Sequence, residues 1–350
     1  MTRPREDDPG TTAALLELGF EPARPTPEHL EDTLLPSGDH KLVMDRRAMS
    51  TRVSVAAIHP SRHLLEDAAG RAFGEMDRLI GLLNRFDSAS AVGVLNSEGR
   101  IRGAPPELTA LLDRSSAVHT ATGGAFDITV QPIVDLLHRT AEEDGGAPDE
   151  ASWREALERV DAASVHVAGS DVRLDRDGMG VTLDGIAKGF IVDAMAAVLE
   201  AHGIERFLID AGGDIRASGE REDGSGWQVA IRDPRDGTVL PAALVMSGGA
   251  VATSGGYEAR YDPEGSWHHI VSSRTGRSPG DLLSVTVTGP NVYAADALAT
   301  AALLMSPREG ARFIDSLPGF ECMAIDAEGR LVLSAGWNGL TVTSQEEGVR

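Results

Sequence analysis

Arg206 to Gly219 read RFLIDAGGDIRASG. An apolar, β-branched run meets paired glycines here, as at the start of a dinucleotide-binding turn. The spacing is not G-x-G-x-x-G, however, and another extended stretch follows, GWQVAIRD at 226–233, where a Rossmann unit would begin its helix. Gly212 and Gly213 therefore predict a tight turn that presents backbone to a ligand. Asp214 either points inward or bonds within that turn.

Working outward, further short strand-like runs (SVHVAG, DVRLD, LLSVTVTG) are interspersed with helical patterns at 62–86, 106–121, 129–139, 149–159, 188–202, 292–305 and 307–316. In the first of these helices, apolar residues at 64, 65, 68, 72, 73, 76, 79, 80 and 83 make a core-facing stripe. No regular βαβ alternation is present. Hairpins and meanders between helices predict an α+β fold with largely antiparallel sheets. Residues 1–40, rich in Pro, Glu, Asp and Thr, read as a flexible arm, 41–340 as one domain and 341–350 as a tail.

Composition narrows the function. A formal charge of −22 over 350 residues argues against any general grip on nucleic acid or anionic lipid, which needs clustered Lys and Arg. The same charge repels a polyanionic ligand, so a site for one needs a metal ion, a few basic side chains or helix N-termini. The one cysteine, Cys322, excludes an internal disulfide and sits in a strand-like run as a buried thiol. Neither an export signal nor a membrane-spanning run is legible, so a cytoplasmic protein without stable membrane insertion is expected.

The chemistry-bearing segments join strands or loops to helices. TGGAFDITVQP (122–132) bends at Gly123 and Gly124, and Asp127 either caps the next helix or forms a binding corner. TLDGIAKGFIVDAM (182–195) runs into a helix bearing Lys188, where a phosphate would meet free backbone amides, and Gly189 permits close approach. In VYAADALATAALLM (292–305), Asp296 and Thr300 are four apart and share a helical face; they read either as a helix cap and a threonine bonded to its own backbone or as two oxygen donors at a spacing that suits Mg2+. His268 and His269 precede an apolar pair, so on a strand they point to opposite faces and one of them enters a given site.

In this order, the segments resemble the ApbE family of FAD:protein FMN transferases, over about residues 43 to 336. The matching elements are Met49 to Thr51, SxxxxLN from Ser90 to Asn96, TGGAFD, GIAKGF with Asp193, AGGDI, VATSG, HHI with RTG, and DALATA. The resemblance implies a two-lobed unit related to the T-fold, with FAD in the cleft between lobes. It also implies Mg2+, or Mn2+ in its place, and transfer of FMN from FAD to a Thr or Ser of an acceptor protein carrying a flavinylation motif, with AMP leaving. The implied metal ligands are Asp296, Thr300 and the Ala187 carbonyl, and the implied proton acceptor is His269, with Lys188 beside the phosphates. The implied flavin-nucleotide site comprises Met49, Asn96, Gly124, Phe126, Asp127, Lys188, Asp193, Gly212, Gly213, Asp214, Thr253, Ser254, Gly255 and His269. Two other readings share this site: a metal-dependent FAD pyrophosphatase, and a flavin-binding protein without catalysis. The chain departs from the family pattern at Ser272 and Ser273, where an Asp-Pro turn is usual, which implies a looser loop. Thr182, Asp184 and Ala91 are further departures.

Overall fold

A computed structural model describes residues 29–143, 147–257, 259–262 and 267–341. In chain order its elements are β1 (His29–Leu34), β2 (His40–Ala48), β3 (Thr51–His59), α1 (Arg62–Leu83), α2 (Ala91–Glu98), β4 (Arg100–Arg102), α3 (Pro106–Ala121), α4 (Gln131–Glu143), α5 (Glu150–Glu158), β5 (Val165–Ala168) and β6 (Asp171–Leu174). There follow α6 (Ala187–Ala201), β7 (Arg206–Ala211), β8 (Ile215–Ser218), β9 (Trp227–Ile231), β10 (Ala242–Met246), β11 (Gly248–Gly255), β12 (Leu282–Gly289), α7 (Val292–Leu303), α8 (Pro307–Asp315), β13 (Glu321–Asp326), β14 (Leu331–Leu333) and β15 (Leu340–Thr341).

A nine-stranded sheet in the order β1-β2-β3-β7-β8-β11-β12-β13-β14 forms the spine, beside two three-stranded sheets, β15-β10-β9 and β4-β6-β5. Within the spine β3 pairs antiparallel with β7, β7 with β8, and β11 with both β8 and β12. The fold is α+β, as the interspersed runs predict. The AGGD segment is the two-residue turn of the β7–β8 hairpin: Gly212 (φ 69°) and Gly213 (φ 102°) are both left-handed, and Ala211 N donates to Asp214 O at 2.9 Å. This is the backbone that a right-twisted hairpin favours and that glycine adopts without strain. A Cβ on Gly212 would lie 2.3 Å from the Thr51 hydroxyl. The arm expected over residues 1–40 is shortened by the structure, because His29–Leu34 pairs with β2 as the edge of the main sheet. Residues 1–28 lie outside the described residues. At the other end, Leu340–Thr341 pairs with β10, and 342–350 lie outside the description.

Helix α7 is the centre of the molecule. Val292 packs into the cluster of β2, β3, α1, α6 and β7. Ala297 and Ala301 face a second cluster built on α2 and α3, while Ala295, Leu298, Ala299, Ala302 and Leu303 face a third on β12, α8 and β13. A helix covered on every side needs small side chains all round, which explains its alanines. It meets α6 at Gly189, where an added Cβ would stand 2.6 Å from the Val292 carbonyl oxygen. The obstacle is backbone and cannot swing aside. Gly189→Ala is therefore expected to destabilise the fold by about 1–3 kcal/mol, the usual cost of overpacking, read as a lower denaturant midpoint.

Candidate functional site

One cleft gathers side chains from five parts of the chain: Phe126 and Asp127 after α3, Thr182, Asp184, Gly185 and Lys188 around the start of α6, Thr253 to Gly255 at the end of β11, His269 to Val271, and Asp296 and Thr300 on α7. Ile128, Val130 and Leu304 complete its apolar wall. Sequence reasoning passed over these three and Ile270 and Val271, because an apolar side chain in a wall carries no chemical signature distinct from core.

The oxygen-bearing corner is built by α7. Asp296 is 5% exposed and accepts a hydrogen bond from Gly189 N at 3.1 Å. Thr300, one turn on, lies with its Oγ1 3.1 Å from Ser254 Oγ. A Cβ on Gly185 would meet that threonine oxygen at 3.0 Å, so the glycine keeps the hydroxyl uncovered. Carboxylate and hydroxyl oxygens with room beside them are the donor chemistry of a hard cation that takes few protein ligands, and the corner fits Mg2+ on that ground. Ala187 opens α6 between two lining residues, Gly185 and Lys188, without itself lining the cleft.

Lys188 Nζ lies 3.3 Å from Asp214 Oδ2, and Asp214 is 1% exposed. Asp214 thus points inward, the first of its two readings, and reaches the cleft through the lysine. Gly212 and Gly213 are not in the cleft wall: Thr51 covers the first, and the second has Thr253 Cβ at 3.9 Å from its would-be Cβ. Met49, at φ 51° in the β2–β3 turn, packs against the apolar cluster under that hairpin. Asn96 is likewise outside the wall, its amide exchanging bonds with Val181 (2.7 Å from Val181 N, 2.9 Å to Val181 O) and pinning the strand-like run before α6.

Asp127 caps, as the first of its readings has it, from a place in the cleft wall. Its Oδ1 accepts from Thr129 N at 2.8 Å and Thr129 Oγ1 at 2.6 Å, capping a short 3-10 turn, and the residue also lines the cleft. Asp193 is different. Its carboxylate accepts from Val292 N and Tyr293 N at the start of α7, and it does not line the cleft as a direct flavin contact would. Burial pushes its pKa up against the pull of those amides.

The two histidines do not lie on a regular strand: His268 makes an isolated bridge with Arg260, and the rings stand 6.2 Å apart edge to face, yet only His269 lines the cleft. His269 lines the cleft, and a hydrogen on its Nδ1, 3.4 Å from Ala259 O, makes Nε2 the ring's acceptor nitrogen. His268 is buried: its Nε2 donates to Pro279 O at 3.3 Å and its Nδ1 accepts from Ile270 N at 3.3 Å. Burial pushes its pKa down to about 4. An unfolded histidine titrates near 6.5, so between these values the unfolded chain holds the extra proton, and this contribution to stability is lost as pH falls. From about pH 7 to about pH 5 the wild type is expected to lose roughly 2 kcal/mol more stability than His268→Gln, measured by denaturant titration.

The loop after His269 is tied on both sides. Ser272 Oγ accepts from Arg274 N at 3.3 Å, Ser273 Oγ donates to Gly124 O at 2.9 Å, and an Arg274 guanidinium nitrogen donates to Gly123 O at 2.7 Å. Trp153 on α5 donates to Thr275 O at 3.0 Å and packs 5.0 Å from Trp267, with the Arg277 guanidinium near both rings. These hydrogen bonds run against the looser loop expected where Ser272 and Ser273 stand. Gly124 serves this site through its carbonyl, outside the wall. On the far rim, Asp184 pairs with Arg85 at 2.9 Å, and Arg85 lies 4.0 Å from the ring centre of Phe86, which is 73% exposed. Arg85 and Phe86 also escaped the sequence reading, although only three residues separate Phe86 from the SxxxxLN element.

The sequence model described as "ApbE family" matches residues 49–324. The FAD:protein FMN transferase of Treponema pallidum is 34% identical over 277 residues, covering 72% of this chain and 75% of that protein. Its counterpart in Escherichia coli K12 is 26% identical over 302 residues, 82% of this chain and 84% of the other. The crystal structure of the ApbE protein from Thermotoga maritima superposes with a TM-score of 0.76 at 25% identity, covering 84% of this chain and 97% of that one. Fold, cleft and relatives together define a transferase of phosphorus-containing groups. The chain belongs to the ApbE family.

Proposed function

We propose that the protein is a Mg2+-dependent FAD:protein FMN transferase, which attaches FMN through its phosphate to a Thr or Ser of an acceptor protein and releases AMP. The observation that carries this reading is the convergence of Lys188, His269, Asp296 and Thr300 on one cleft in a chain of charge −22. A cation and a lysine there supply the local positive charge that a pyrophosphate requires.

In this reading Asp296 and Thr300 hold the metal, with the Ala187 carbonyl as a further ligand, and Mn2+ substitutes. When bound, the ion neutralises developing charge on the phosphoryl oxygens. Lys188 and the amides at the start of α6 bind and orient the pyrophosphate. Phe126, Asp127 and the β11 residues Thr253, Ser254 and Gly255 line the space left for the flavin nucleotide, while Met49, Asn96, Gly124, Gly212, Gly213 and Asp214 support it from behind. The acceptor oxygen bonds to the FMN phosphorus as the bond from that phosphorus to the bridging oxygen breaks. AMP leaves with the bridging oxygen and its electron pair, and the hydroxyl proton passes to His269 Nε2.

The test is AMP release from FAD with Mg2+, with and without EDTA and with and without a peptide carrying a Thr or Ser acceptor pattern. Metal-dependent release that rises with peptide, together with a flavin-labelled peptide, is the expected result. Release indifferent to peptide would instead indicate a pyrophosphatase, and bound FAD without release a non-catalytic flavin protein. No described helix is long and apolar enough to cross a membrane.

A further inference from the structure

Helices α6 and α7 each lend a carboxylate to the other's first turn. Asp296, one turn into α7, accepts from Gly189 N in the first turn of α6. Asp193, one turn further along α6, accepts from Val292 N at 2.9 and 3.1 Å and from Tyr293 N at 3.0 Å, the two amides that open α7. First-turn amides have no partner within their own helix, and a negative charge there is favoured by the helix dipole. The exchange closes a ring across the helix crossing at Gly189, where backbone meets backbone.

Helix α7 does not need Asp193 merely to form. Asn291 already caps it, accepting from Ala294 N at 3.1 Å. What the cross-helix bonds add is position: they fix the first turn of α7 along α6, and therefore where residues one and two turns later stand. Those residues are Asp296 and Thr300.

We propose that Asp193 is a positioning residue that sets the height of α7 against α6, so that Asp296 and Thr300 present their oxygens to a divalent cation in the cleft. The metal in question rests on the flavin transferase reading. The role differs from the direct flavin contact that family resemblance implies, and the two separate experimentally.

The test compares wild type, Asp193→Asn and Asn291→Ala by three measurements: Mn2+ occupancy in the presence of FAD from the electron paramagnetic resonance signal of free Mn2+, FAD binding without metal from flavin fluorescence, and AMP release against Mg2+ concentration. Asp193→Asn is expected to raise the half-saturating Mn2+ about 10- to 100-fold, the usual effect of removing a group that orients a metal ligand, with metal-free FAD binding unchanged. Asn291→Ala is expected to lower the melting temperature yet leave Mn2+ occupancy at the wild-type value. Wild-type Mn2+ occupancy in Asp193→Asn would overturn the inference, as would an equal shift in Asn291→Ala, which would make the effect one of helix stability alone. Loss of FAD binding without metal in Asp193→Asn would return the residue to a flavin contact. Should Asp193→Asn fail to fold, Asp193→Glu keeps the charge and moves the carboxylate by one methylene, and the same rise in half-saturating Mn2+ is expected. A wild type that binds Mn2+ but releases no AMP would sink the transferase reading while leaving the Mn2+ comparison valid.

Discussion

Asp296→Ala is expected to reduce metal-dependent AMP release from FAD below detection. The carboxylate has two duties in the structure, one as acceptor for Gly189 N and one as the charged member of the oxygen corner with Thr300. Truncation ends both. It removes the anionic ligand, and it leaves a buried amide without its acceptor, a cost of about 1–3 kcal/mol. Asp296→Asn separates the two, because its amide oxygen still accepts from Gly189 while the charge is gone. The asparagine variant should melt near the wild type and still release no AMP at Mg2+ concentrations that saturate the wild type. Wild-type AMP release in either variant, followed by chromatography of the nucleotides, would rule out the proposed metal site.

His269→Ala carries the second large effect. FAD binding should survive, because the ring is one among many lining groups, while transfer to an acceptor peptide slows by about two to four orders of magnitude, as loss of a general base does. The ring is held for that work: the loop carrying it is fastened to the TGGAFDITVQP corner by Ser273 and Arg274, and to α5 by Trp153. Glutamine at 269 keeps a polar group but not a base, and is expected to be as slow as alanine. A single-turnover assay with peptide at saturation reads the step directly. Wild-type rates would move the proton to Asp127 in the cleft wall or to Asp214 behind Lys188.

Much of this arrangement was legible from sequence because its signals are local. Capping residues, glycines and hydrophobic period gave seven helices nearly to their ends but passed over the short α2 (Ala91–Glu98), and the helix-like spacing of Asp296 and Thr300 put both on one face before any fold was known. The failures are non-local. The placement of Asp193 depends on which helix crosses α6, information held some 99 residues away at Val292. Gly212 and Gly213 read as a tight turn that presents backbone to a ligand, and Met49 entered through the family resemblance alone; in the structure Thr51 fills the space beside Gly212. Residues 29–34 read as part of an arm on composition rich in Pro, Glu, Asp and Thr; the strand is almost wholly exposed, and an edge strand without an apolar face looks in sequence like any polar segment. Ser272 and Ser273 read as a loosened turn, since hydrogen bonds to the distant Gly124 carbonyl have no sequence signature.

The joining of α6 to α7 bears on how the molecule comes into being on the ribosome. Gly189 and Asp296 are 107 positions apart, and neither half of the exchange exists until the chain has been made through α7. Contacts so distant in sequence close late, after nearer ones have lowered the cost of bringing them together. A nascent chain that ends before Asp296 therefore has the lysine and the glycine corners but lacks the carboxylate proposed to seat a cation. On that proposal chemistry at the cleft is withheld from every unfinished copy, and a truncated product ending before Val292 is expected to release no AMP from FAD.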